Sequence, residues 1–118
     1  MNKPHKKLDV WTSAIDLAHL VYQTADRFPS KERFGLSSQI RRAAVSIPSN
    51  IAEGAARHSK KEFVQFLHIA KGSLSELDTQ LAKRLEYLGQ TEWTTLNELL
   101  ERVDKMLSGL IRHLGAKP

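Results

Sequence analysis

The residues with a claim to chemistry gather in the middle of the chain. Arg41, Arg42, Arg57, Lys60 and Lys61, with His58 among them, place much of the positive charge around one helix and its exit. Such groups bind phosphate oxygens, and each phosphate neutralised steepens the salt dependence of binding. The competing reading is a solvated face whose cations are held in ion pairs, each worth little. Lys3, Lys6 and Lys7 make a second basic cluster, read more simply as a solubility feature. Glu53 and Glu76 could in principle form a carboxylate pair across two helices, but ion pairing to Arg42 or Arg57, or a buried hydrogen bond, explains them better.

Other reactive constellations are missing. His5, His19, His58, His68 and His113 show no metal-ligand spacing, and no Glu-x-x-His pair suggests a di-iron bundle. There is no HExxH, no phosphate-binding glycine loop and no nucleophile elbow. The absence of cysteine removes thiol nucleophiles and disulfides and fits a reducing, cytoplasmic setting. Aromatic residues are too scattered for a base-stacking platform, and Trp11 and Trp93 read as core or interface anchors. The expectation is a protein without catalytic activity, metal or cofactor.

At 118 residues, with 41% apolar and 26% charged residues, the chain suits one globular domain with its own core. A net charge of +5 permits contact with nucleic acid or an acidic partner without requiring it. No apolar run approaches the roughly 20 residues that span a bilayer. The basic start MNKPHKKLD has no apolar stretch behind it, so a secretory signal is not expected.

Apolar spacing predicts four helices in an all-α, antiparallel, up-down-up-down four-helix bundle. The bundle is expected over residues 9–114, with mobile tails at 1–8 and 115–118. Asp9 is the expected N-cap of the first helix, which Phe28 and Pro29 end. A second helix is expected from about Leu36 to Arg57, kinked at Pro48, where the bond to Ala44 is lost. Ser59 and Glu62 form a capping box opening a third helix, expected to run to Leu88 and stop at a left-handed Gly89. Thr91 is the expected cap of the fourth helix, with Trp93, Leu96, Leu100, Val103, Leu107, Leu110 and Leu114 on its core side and Gly115 at its end.

The second helix is unlike the others. Gln39, Arg42, Ser46, Asn50, Glu53 and Arg57 form a polar line beside its apolar stripe. The remaining face carries Val45, Ser49, Ala52 and Ala56, with Arg41 the exception, where charges would be expected on a surface helix. Two readings stand side by side: a plain solvent stripe with helix-spaced ion pairs, or a polar network with Gln39, Ser46, Asn50, Glu53 and Glu76 at a core or subunit contact.

The run QIRRAAVSIPSNIAEGAARHSKKEFVQFLHIAKGSLSEL, residues 39–77, closely resembles the four-helix-bundle family called the 23S rRNA intervening-sequence proteins. Leu8-Asp9-Val10-Trp11 and the segment from Thr24 to Pro29 share the likeness, which weakens after about Leu88. Its most specific parts are residues 46–54, SIPSNIAEG, and residues 72–77, GSLSEL. The resemblance implies bacterial proteins, some encoded within 23S rRNA genes, with no established enzymatic activity. It also implies ring-like homo-oligomers, pentamers favoured. The related accessory proteins of diversity-generating retroelements form pentameric barrels that bind a reverse transcriptase and nucleic acid. The resulting expectation is a homo-oligomeric binding or scaffold protein contacting RNA or an RNA-handling protein, the alternative being a protein-only adaptor.

Overall fold

Amphipathic periodicity becomes four helices: α1 (Asp9–Asp26), α2 (Leu36–Ala55), α3 (Lys60–Ala82) and α4 (Gln90–His113). The structure is a computed structural model that describes residues 3–82 and 87–118. Each helix turns one apolar stripe inward. Val10, Ala14, Leu17, Val21 and Ala25 of α1 are buried, as are Ile40, Ala44, Ile47 and Ile51 of α2. Leu67, Ala70, Leu74, Leu77 and Leu81 of α3 meet Leu96, Leu100, Val103, Leu107 and Ile111 of α4. These positions repeat at three- and four-residue spacing, which is why burial and helix formation support each other.

Helix α1 packs on α2 and α4, and α3 closes the bundle against the same two. Inter-helix pairs give the directions. Ser46 faces Ser73 while Gly54 faces Phe63, so α3 recedes as α2 advances. Arg27, just past the end of α1, pairs with Glu92 in the first turn of α4. Neighbours are therefore antiparallel.

The helix ends depart from the sequence expectations in several places. Leu8 is the N-cap of α1, and Asp9 is its first helical residue, where a carboxylate suits the positive end of the helix dipole. Helix α1 closes as expected before Pro29, with the Arg27 and Phe28 amides donating to the Thr24 and Ala25 carbonyls. The capping box at Ser59 forms: the Glu62 amide donates to Ser59 Oγ at 3.1 Å. Glu62 reaches back only as far as the Ser59 hydroxyl, 3.4 Å away.

The expected stop of α3 lies partly outside the described residues, but Gly89 itself is extended (φ −72°, ψ 159°). It serves as the N-cap of α4 rather than as a left-handed terminator, and Thr91, the expected cap, sits inside the first turn. Leu110 and Leu114 are only half-buried, and Ile111 takes the fully buried place beside them. At the far end Gly115 is left-handed at φ +86°. The Gly115 amide donates to the Arg112 carbonyl and the Ala116 amide to the Ile111 carbonyl, a Schellman termination.

Helix α2 runs unbroken through Pro48, which is buried, so the break that a proline can cause does not occur. At the N-terminus, within the stretch set apart as a tail, Pro4–Lys7 form a 3-10 turn. The His5 ring meets Trp11 edge-on at 4.8 Å, and Leu8 packs on the core. Among the described residues, no helix is long and apolar enough to cross a membrane.

Candidate interaction surfaces

The polar line on α2 divides into a half-buried centre and exposed ends. Ser46 and Asn50, one turn apart, are half-buried, and Ser46 reaches α3. Ser46 Oγ lies 2.8 Å from Ser73 Oγ. The Asn50 side-chain amide donates to the Ser46 carbonyl at 2.8 Å and to Ser46 Oγ at 3.0 Å. Three polar side chains thus satisfy one another in the α2–α3 seam, as a partly desolvated cluster requires. Gln39 and Glu53 are exposed and stand outside this cluster. Glu76 accepts a hydrogen bond from Gln80 at 3.1 Å on its own helix, and Glu53 lies 3.8 Å from Arg57 on its own. The two carboxylates therefore each have a partner within one turn.

The second face of α2 lies open in the single chain. Val45, Ser49 and Ala52 line a groove of about 610 Å³ together with Pro48 and the outer side of α1. From α1 come Trp11, Ile15, His19 and Tyr22, with Asp26 at one end and His5 also lining it. Val45 and Tyr22 are 41% and 43% exposed, high values for large apolar side chains on regular helices. Ala56, grouped with this face by spacing, is exposed beyond the groove. The sequence reading missed the α1 half, although Trp11, Ile15, Ala18 and Tyr22 already follow helical spacing.

The basic residues do not form one patch. Arg41 and Arg42 stand sixteen and fifteen residues before Arg57, about 22–24 Å along a helix. Arg41 is half-buried, donates to Asp26 Oδ1 at 2.6 Å and lies over the Tyr22 ring. Arg42 is exposed. Arg57 pairs with Glu53 and stacks over Phe66, 4.8 Å from its centroid. Arg57, His58, Lys60 and Lys61 are all exposed at the α2–α3 corner and form a compact basic run. Among the described residues, no group of three or more His, Asp or Glu side chains could hold a metal ion.

Residues 6–109 match the family described as 23S rRNA-intervening sequence protein. No curated protein matches the chain. Among solved structures, a protein of unknown function of the S23 ribosomal protein family from Bacteroides thetaiotaomicron is 24% identical. The likeness covers 86% of this chain and 97% of that one, with a TM-score of 0.77. At that identity it speaks for the four-helix fold alone.

Proposed function

The chain belongs to the 23S rRNA-intervening sequence protein family, and from that premise we propose that it is a self-associating binding or scaffold protein that acts without catalysis. Identical subunits assemble into a ring, five copies favoured, and present the α2–α3 corner repeatedly to RNA phosphates. The observation that carries this reading is the open groove between α1 and α2. A surface helix normally shows charge on its outer side. Here α2 shows Val45, Ser49 and Ala52, and α1 supplies Tyr22, Ile15 and Trp11 beside them. Small and apolar residues let another chain approach closely and make its burial favourable.

Self-association would also give the modest basic charge its effect. One corner with Arg57, His58, Lys60 and Lys61 binds phosphate weakly. Several corners on one particle add by avidity, without any new contact. A protein-only adaptor is the second reading, favoured by the pairing of Arg41 with Asp26 and of Arg57 with Glu53.

Solution mass measured by light scattering with absorbance at 260 and 280 nm, in low and high salt, tests both. The expected result is a particle several times the 13.4 kDa chain mass that binds RNA with an affinity falling as salt rises. A monomer at all concentrations overturns the proposal. An assembled particle with no salt-dependent RNA binding favours the adaptor.

A further inference from the structure

We propose that Phe34 of one copy fills the α1–α2 groove of the next, so that subunits join head to tail. This rests on the self-association reading above and names the two surfaces that meet. Phe34 is 88% exposed, the most exposed large apolar side chain among the described residues. The connector that carries it is not a loose loop. Hydrogen bonds from the Glu32, Arg33 and Gly35 amides to the Pro29, Ser30 and Glu32 carbonyls wind it into consecutive tight turns. Phe34 is therefore held out from the bundle on a stiff mount, with the Arg33 guanidinium 5.2 Å from its ring centroid.

The groove has the complementary character. Trp11, Tyr22, Ile15, Val45 and Pro48 offer aromatic and aliphatic walls, and about 610 Å³ is ample for one aromatic side chain. Four large apolar side chains are exposed among the described residues, and knob and groove together account for three of them: Phe34, Tyr22 and Val45. The charges agree as well. Arg33 travels with Phe34, and Asp26 at the groove's end keeps 72% of its side chain exposed while paired with Arg41.

Phe34 does not serve its own groove. Pro48 lies twelve residues beyond the start of α2 at Leu36, about 18 Å along the axis, and Phe34 is not among the residues that line the groove, its ring standing 88% exposed beside the Arg33 guanidinium. The occupant is a second copy. Because knob and groove are different surfaces, the contact is heterologous, the kind of contact that makes a ring when its rotation closes.

The test uses the full chain, Phe34→Ala, Val45→Glu and an equimolar mixture of the two variants, all weighed in solution with helicity checked by circular dichroism. Both positions are exposed, so both variants are expected to fold. Each alone is expected to dissociate, with the dissociation constant of the contact raised about tenfold or more. The mixture is expected to form a heterodimer and nothing larger, since one variant keeps the groove and the other keeps the knob. A wild type that assembles while Phe34→Ala keeps its full mass overturns this pairing and leaves self-association standing. A mixture that stays monomeric at about millimolar protein also overturns it. A monomeric wild type overturns the self-association reading itself.

Discussion

Replacing Gly54 by alanine puts the α2–α3 contact to a quantitative test. A Cβ at residue 54 would lie 2.8 Å from Phe66 Cβ, 2.9 Å from Phe63 Cδ1 and 3.2 Å from the Phe63 carbonyl oxygen. The Phe63 ring can rotate aside, but Phe66 Cβ and the Phe63 carbonyl move only with α3. Overpacking of this kind costs about 1–3 kcal/mol, and the immobile neighbours put it in the upper part of that range. Alanine returns about 0.8–1.0 kcal/mol of helix propensity. The net expectation is a loss of about 1–2 kcal/mol. Gly72 in α3 is the internal control: nothing lies within 4 Å of its notional Cβ. Gly72→Ala should therefore gain about 0.5–1 kcal/mol. Urea unfolding followed at 222 nm, at one fixed protein concentration, reads both, and the two midpoints should move in opposite directions with unchanged slope. If Gly54→Ala raises the midpoint as Gly72→Ala does, steric closeness is not what glycine supplies at position 54.

Three further outcomes follow from the same structure. Gly115→Ala, forced to φ +86°, should lower stability by about 1–2 kcal/mol, read as a lower urea midpoint. Ser46→Ala should cost about 1 kcal/mol, because Ser73 and Asn50 lose a shared partner. The double change with Ser73→Ala should then cost less than the sum of the single changes, as a double-mutant cycle would record. Arg27→Ala, which breaks the pair with Glu92, should shift stability by no more than about 0.5 kcal/mol, and by less still in 1 M salt, since both partners are well exposed.

Much of this architecture is legible in the sequence, for identifiable reasons. Apolar spacing locates all four helices, because a stripe such as Leu67, Ala70, Leu74, Leu77 and Leu81 buries only as a helix. The cap at Ser59 is legible because Glu62 stands at the reciprocal position. Asp9 and Thr91 mislead because an acid or hydroxyl also suits the first turn, and the extended residue that starts each helix is the neighbour Leu8 or the near neighbour Gly89. The second face of α2 is visible from Val45, Ser49 and Ala52. That α1 adds an aromatic and aliphatic wall of Trp11, Ile15 and Tyr22 is a fact of packing, and periodicity within one helix does not carry it. The close approach at Gly54 depends on Phe63 and Phe66, which come from the next helix. Likewise Arg41 breaks the pattern of small residues on α2 for a reason that only the bundle supplies: Asp26 waits across from it on α1.

The α2–α3 corner has a consequence for how the chain folds. Only four residues, Ala56 to Ser59, separate the two helices, and Gly54 already touches Phe63, nine positions on. Little chain entropy is lost in closing so short a loop, so this hairpin can form before α1 and α4 dock from farther along the sequence. Crowding at Gly54 would then burden the transition state as well as the native state, slowing folding while leaving unfolding nearly unchanged. Gly115, at the last turn of α4, should do the reverse: its replacement would speed unfolding and leave the folding rate almost untouched.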